Sequence, residues 1–106
     1  MAFFDFLRQP DINALVAEYR NTPGALLIDV RSPQEYSGGR LPGSINIPLD
    51  NIDKIDDVSE NKDVPLYMYC QSGMRSGRAV HILQHLGYNN VKNIGGIMAY
   101  SGKLEK

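Results

Sequence analysis

Short apolar runs alternate along this chain with segments in which apolar residues recur at helical spacing. Residues 25–30 and 64–69 are almost continuously apolar, which is typical of strands covered on both faces of a parallel sheet. Residues 44–47 and 90–94 predict two shorter strands. Strands that alternate with helices predict an α/β fold with a central, mainly parallel sheet of four to five strands and helices on both faces.

The predicted helices are recognised by their apolar spacing and by their end signals, and they cover residues 12–19, 32–36, 49–58 and 77–86. Asp11 is placed to cap the first helix. Ser32 and Glu35 form a capping box around Pro33 at the start of the second, so we assign Glu35 as a helix cap rather than a catalytic acid. Gly87 is placed to end the last helix. The chain then predicts a turn at 95–96 and a final helical turn at 97–100.

Composition narrows the class of protein. With 106 residues, of which 42% are hydrophobic, residues 1–106 are predicted to form one domain with an N-terminal arm over residues 1–10. A net charge of −1 favours neither nucleic acid nor an anionic membrane surface as partner. No stretch approaches the roughly 20 apolar residues of a membrane span. A single cysteine excludes an internal disulfide and fits a cytoplasmic location.

That single cysteine, Cys70, lies between the second apolar run and a helical pattern. The first N–H groups of a helix lack intrahelical partners and favour an anion, and a thiolate is such an anion. Arg75 adds a positive charge nearby, and such settings lower the thiol pKa from its usual value of about 8.5. We therefore predict an activated cysteine in an anion-binding loop, with Cys70 and Arg75 as its central residues. Position alone leaves open a buried, inert core cysteine.

Other chemistry-bearing residues are predicted near the same edge of the sheet. Asp29 and Gly95 follow strand ends as Cys70 does, and ligands of parallel sheets bind beyond those ends. Asp29 is predicted to be a buried carboxylate with a structural role, paired with one of three arginines, Arg31, Arg40 or Arg75.

Two histidines have a spacing that can bind a metal ion. His81 and His85 lie four residues apart on one predicted helix face. No third ligand is evident, so we predict a solvated helix face and no metal.

Three blocks of sequence, residues 27–36, 39–48 and 69–96, resemble the single-domain rhodanese-like sulfurtransferases, and the resemblance covers about residues 11–101. The order and spacing of the three blocks carry the match. The sequence departs from the family pattern at Arg40, where histidine is usual. It departs again at Gln71, where members that favour thiosulfate often carry a basic residue.

The resemblance implies a rhodanese fold and a two-step sulfur transfer without a cofactor. The Cys70 thiolate takes a sulfur from thiosulfate, polysulfide or a persulfide, and the resulting persulfide passes it to a thiol or to cyanide. Small sulfur donors and thiol acceptors, and a sulfur-relay protein, are the implied partners. Arg75 acts beside Cys70. From their place near the same edge of the sheet, we predict Asp29, Arg31 and Arg40 as supporting residues. The implied persulfide-binding loop consists of Gln71, Ser72, Gly73, Met74 and Ser76.

Two other functions remain as alternatives. The first is a phosphatase or arsenate reductase of the Cys-x5-Arg type, although four residues rather than five separate Cys70 from Arg75 here. A shorter loop makes a smaller cradle, which suits a sulfur better than a tetrahedral phosphate. The second is a non-catalytic binding or sulfur-relay module of the same fold.

Overall fold

The computed structural model describes residues 10–106, so the predicted N-terminal arm lies almost wholly outside the described residues. Four parallel strands form one sheet in the order β2-β1-β3-β4. The strands are β1 (Leu26–Asp29), β2 (Ile45–Asn46), β3 (Leu66–Cys70) and β4 (Val91–Gly96). The helices are α1 (Ile12–Arg20), α2 (Pro33–Gly38) and α3 (Met74–His85), with 3-10 segments at Leu49–Asp57 and Ile97–Ala99. None of the helices in this part of the chain is long and apolar enough to cross a membrane.

Both faces of the sheet are covered. Successive strand residues point to opposite sides, so the apolar strands supply side chains to a buried cluster on each face. On one face Ile28, Met68 and Cys70 pack with Leu83 of α3 and with Ile55 of the first 3-10 segment. On the other face, side chains of α1 pack against the alternate residues of β1 and β3, in a cluster that includes Ile12, Val16, Leu27, Tyr67 and Tyr69. The predicted α/β class with a parallel sheet and flanking helices is confirmed, with four strands.

The predicted end signals of the first two helices are present. The Asp11 carboxylate accepts the backbone N–H groups of Asn13 and Ala14 at the start of α1. At the start of α2 the Ser32 hydroxyl and the Glu35 carboxylate each accept the other residue's N–H, which is the predicted capping box. Each cap therefore satisfies N–H groups that the helix itself leaves without a partner.

The structure makes one predicted element more specific and corrects another. Residues 49–58 were predicted as a short helix, and Leu49–Asp57 form a 3-10 helix with a kink at Asn51. Their apolar side chains recur every third residue, which matches the three residues per turn of a 3-10 helix. The predicted turn at 95–96 is instead the end of β4, where Tyr69 pairs with Gly95 and the register shifts by one residue. Because of this shift, Gly95 and Gly96 pair with Tyr69 and Cys70, the last two residues of β3.

Candidate active site

Cys70 is the last residue of β3, and α3 begins four residues later at Met74. Its side chain is fully buried, and the Gly73 backbone N–H donates to its Sγ at 3.0 Å. The Ser76 hydroxyl lies 3.5 Å from the same sulfur. The loop therefore curls back so that hydrogen-bond donors from the loop and from the first turn of α3 face the thiol.

This arrangement lowers the pKa of the Cys70 thiol. Burial alone would raise the pKa, because it penalises the charged thiolate. The Ser76 hydroxyl and the backbone N–H groups of Ser76, Gly73 and Ser72 stabilise the thiolate and outweigh burial, so the pKa falls below its ordinary value. The sulfur is thus placed as an anion in a ring of donors, which distinguishes it from an inert core cysteine.

Glycines of β4 allow the cysteine loop to lie directly against the sheet edge. A Cβ atom on Gly96 would come within 2.3 Å of the Gln71 carbonyl oxygen and 2.6 Å of the Ser72 Cα. Gly73 has a φ of +100°, which other residues rarely adopt, and a Cβ there would lie 3.3 Å from the Gly95 Cα. The shape of the loop therefore depends on residues more than 20 positions further along the chain.

Asn93 of β4 organises the loop, and the sequence analysis did not single it out. Its Nδ2 donates to the Gly73 carbonyl at 3.0 Å, and its Oδ1 accepts the Gly95 N–H at 3.0 Å. The same Oδ1 lies 2.8 Å from the Ser76 hydroxyl oxygen, so the single hydroxyl proton is shared between this amide oxygen and the cysteine sulfur. Asn93 therefore holds the Ser76 hydroxyl beside the cysteine sulfur. The signal that could have found it is its place near the end of a strand that neighbours β3.

Arg75 pairs with Glu35 across the site. The guanidinium donates to Glu35 Oε1 at 2.8 Å and to Oε2 at 3.0 Å, and both side chains are about one-third exposed. The Arg75 hydrogen bonds and the Ser32 N–H lower the pKa of Glu35 to about 2. Glu35 is thus a helix cap, as predicted, and in addition the partner of the loop arginine, a second role that local sequence does not reveal.

Asp29 pairs with Arg31, one of the three partners considered. Both side chains are buried, and the guanidinium donates from Nε and Nη2 to the two carboxylate oxygens, the shortest contact being 2.7 Å. Arg31 Nη2 also donates to the Gly39 carbonyl at 2.7 Å. This buried pair ties the end of β1 to the end of α2, the helix that carries Glu35.

Arg40 contacts a different part of the protein. Its guanidinium lies 4.8 Å from the centre of the Tyr36 ring and 3.5 Å from a Glu105 carboxylate oxygen. Among the hydrogen bonds and ion pairs of residues 10–106, none joins Arg40 to Asp29 or to the cysteine loop. No such contact therefore supports the predicted role of Arg40 in the site. The antiparallel bridge between Arg40 and Glu105 explains this, because it turns the side chain toward the C-terminal segment.

The remaining predicted loop residues form the rim of the site. Gln71 and Ser72 are exposed, and the Gln71 carbonyl accepts the Met98 N–H at 3.3 Å. Met74 begins α3 with 78% of its surface exposed. A groove of about 750 Å³ starts at this rim and follows α3 past Arg78 to Ile82.

The two histidines lie on the exposed side of α3. The His85 Nδ1 is 3.1 Å from the His81 carbonyl oxygen, and the ring centres are 4.6 Å apart. Within residues 10–106, no cluster of three His, Cys, Asp or Glu side chains is placed to hold a metal ion.

Asp29→Asn is expected to lower the free energy of unfolding by about 3 kcal/mol while the folded variant keeps its cysteine chemistry. The change removes the charge that compensates the buried Arg31 guanidinium, and it removes no group that contacts Cys70. Urea unfolding and intact mass after incubation with a sulfur donor measure the two effects, and Asp53→Asn, at an exposed acid, is the control. Unchanged stability with lost sulfur uptake would show that Asp29 is catalytic.

Comparison with known proteins agrees with this geometry. The model of the rhodanese-like domain family matches residues 13–103. Thiosulfate sulfurtransferase PspE of Escherichia coli is 39% identical over 71 residues, which are 66% of this chain and 68% of the relative. The uncharacterized protein YqhL of Bacillus subtilis is 40% identical over 82 residues, 76% of this chain. This chain spans 64% of YqhL and, at 31% identity, only 30% of the tRNA uridine(34) hydroxylase of an Enterobacter species.

Solved structures show the same fold. A rhodanese with anions from E. coli superposes with a TM-score of 0.73 at 35% identity, covering 77% of this chain and 98% of the other. The human single-domain sulfurtransferase TSTD1 superposes with a TM-score of 0.70 at 25% identity, covering 81% and 88%. The family match spans nearly the whole chain and includes the cysteine loop, and so this protein belongs to the rhodanese-like domain family.

Proposed function

We propose that this protein is a sulfurtransferase that carries a sulfane sulfur as a persulfide on Cys70. The observation that carries the proposal is the position of Sγ at the end of β3, 3.0 Å from the Gly73 N–H and beside the Ser76 hydroxyl, in a setting that lowers the thiol pKa. The relationship to the PspE sulfurtransferase supports a thiosulfate-type donor.

In the first step the Cys70 thiolate attacks the outer sulfur of the donor. A new S–S bond forms on Cys70, the S–S bond of the donor breaks, and its electron pair leaves with the remainder of the donor, which is sulfite when the donor is thiosulfate. The donors around Sγ lower the thiol pKa and so favour the thiolate, which is the attacking species in this step.

In the second step a thiolate acceptor attacks the outer sulfur of the persulfide. The S–S bond on Cys70 breaks, and its electron pair returns to Cys70 as a thiolate. The donors that stabilise the first thiolate, the Gly73 N–H and the Ser76 hydroxyl, also receive this leaving group, as fixed dipoles do at oxyanion sites. The two steps give ping-pong kinetics.

The geometry supports the phosphatase alternative less well. A phosphatase loop needs an arginine that is free to bind the phosphate oxygens, whereas both terminal nitrogens of Arg75 donate to Glu35. The four-residue spacing points the same way. The binding-module alternative needs neither a lowered thiol pKa nor a ring of donors around the sulfur.

Intact mass spectrometry of the reduced protein tests the proposal. After incubation with thiosulfate, and separately with polysulfide, we expect the mass to increase by one sulfur atom per chain and to return to its original value when cyanide is added. No increase with either donor would contradict the proposal and favour the binding module, and a phosphatase assay would then be the next measurement.

Ser76→Ala is expected to raise the pKa of the Cys70 thiol and to slow sulfur uptake at pH 7 by roughly tenfold, because a hydrogen bond to the thiolate is lost. The defect shrinks at pH 9, where the thiol ionises without that bond. Because Cys70 is the only cysteine, thiolate absorbance near 240 nm reports its titration directly. Ser72→Ala is the matched control, since it keeps the backbone N–H that faces the sulfur. Equal pH profiles for the two variants would contradict the role of the Ser76 hydroxyl.

A further inference from the structure

Two of the three arginines around the mouth of the site are paired with carboxylates. Arg75 is paired with Glu35, and the buried Arg31 is paired with Asp29. Arg78 lines the two grooves beside the loop and forms no ion pair with a side chain of residues 10–106. The remaining rim side chains, Gln71, Ser72 and Met74, carry no charge. Within the loop itself Arg75 is therefore the one cation, and Glu35 neutralises it, while Arg78 on the next turn of α3 keeps its charge.

Glu35 is held in place from two sides. The Ser32 backbone N–H donates to Glu35 Oε1 at 3.0 Å, and the Glu35 N–H donates to the Ser32 hydroxyl at 3.2 Å, so the carboxylate is part of the α2 cap. A donor anion that competed for the Arg75 fork would have to break the bidentate pair, while the cap holds Glu35 in place. The carboxylate that neutralises Arg75 is therefore positioned by the fold.

The nucleophile makes the charge of the donor matter. The Cys70 thiolate is an anion, and the first turn of α3 and the loop donors are already directed at it. A donor that carries two negative charges, such as thiosulfate, is repelled by the thiolate. Arg75, the arginine of the loop, would offset that repulsion more strongly if Glu35 did not neutralise it. A persulfide on an uncharged carrier bears at most one negative charge, and its protonated form R–S–SH bears none, so the thiolate repels it less than it repels a dianion.

We propose that Glu35 is a specificity-determining residue that cancels the Arg75 charge and so directs this site toward organic persulfides and away from dianionic donors such as thiosulfate. The inference rests on the proposed function, and it departs from the thiosulfate-type donor that the relationship to PspE supports. The Cys70 thiolate attacks the terminal sulfur of R–S–SH, the S–S bond of the donor breaks, and its electron pair leaves with the carrier as the thiolate RS⁻, which is the conjugate base of an ordinary thiol. The proton stays on the transferred sulfur.

The test compares two donors in two matched variants. Thiosulfate is the dianionic probe, and the persulfide of 2-mercaptoethanol is the probe with an uncharged carrier. Glu35→Gln removes the charge but keeps an oxygen that can accept the Ser32 N–H. Glu60→Gln removes one exposed negative charge that lies outside the mouth. We expect Glu35→Gln to raise the ratio of kcat/KM for thiosulfate to that for the persulfide by roughly tenfold, and Glu60→Gln to leave the ratio unchanged.

A third variant gives a change of opposite sign. Arg75→Gln leaves Glu35 without its cation, so the thiosulfate-to-persulfide ratio is expected to fall below that of the unchanged protein. Its comparison with the unchanged protein keeps the test decisive if Glu35→Gln does not fold. A ratio that stays constant in the folded variants at Glu35 and Arg75 overturns the specificity role and leaves the proposed function intact. A protein that takes sulfur from neither donor overturns both.

Discussion

Cys70→Ser is expected to take up no sulfur from thiosulfate, polysulfide or an organic persulfide, which is a loss of at least a thousandfold relative to the unchanged protein. A serine oxygen does not form a stable persulfide analogue, and the chain contains no other cysteine that could replace the thiol. Serine is close to cysteine in size, so the buried position at the end of β3 and the donors around it are retained. Intact mass and steady-state sulfur transfer to cyanide measure the loss.

The control for this variant is its fold. Circular dichroism and urea unfolding should show a native Cys70→Ser protein, since the substitution replaces one small buried side chain by another that can hydrogen-bond to the same groups. If the folded variant still gains one sulfur atom, the sulfur is bound at a site other than Cys70 and the persulfide mechanism is wrong for this protein.

Gly96→Ala is expected to reduce sulfur uptake by about a hundredfold, although residue 96 carries no side chain that could contact a substrate. The added Cβ would lie 2.3 Å from the Gln71 carbonyl oxygen and 2.6 Å from the Ser72 Cα. Both atoms belong to the backbone, so the clash is relieved only by moving the loop or bending β4. Moving the loop withdraws the Gly73 N–H from the sulfur, and the strain lowers the free energy of unfolding by about 1–3 kcal/mol.

Gly38→Ala is the matched control for this prediction. A Cβ on Gly38 meets nothing within 4 Å, and the residue ends α2, where alanine is well tolerated. We expect that variant to keep both its stability and its sulfur uptake. If Gly96→Ala also kept its uptake and its thiol pKa, the close packing of β4 against the loop would have no part in activating Cys70.

The elements predicted correctly are those whose signals lie within a few residues of one another. The cap at Asp11 and the capping box at Ser32 join residues two to three positions apart, so the sequence alone determines them. The same holds for the apolar run that becomes β3 and for the cysteine at its end. The period of three in residues 49–58 was visible as well, and it predicted the short helix that the structure shows to be of the 3-10 type.

The order and spacing of three motif blocks also determined the family, because a family resemblance summarises many positions at once. Asp29 was predicted to be buried and paired, yet the choice among Arg31, Arg40 and Arg75 required the tertiary structure. Arg31 is the partner, and its guanidinium is held in place because Nη2 also donates a hydrogen bond to the Gly39 carbonyl at the end of α2. Arg40 is held instead by a bridge to Glu105, more than 60 residues away.

Sequence by itself thus determined the fold class, the helix caps and the residue that carries the proposed chemistry. Only the tertiary structure decided that Glu35 neutralises Arg75, that Asn93 holds the Ser76 hydroxyl, and that the loop packs against two glycines of β4. The physical reason is distance along the chain. Contacts across 17 to 40 positions depend on how the strands are ordered and where the register of β4 shifts, and no local pattern encodes either.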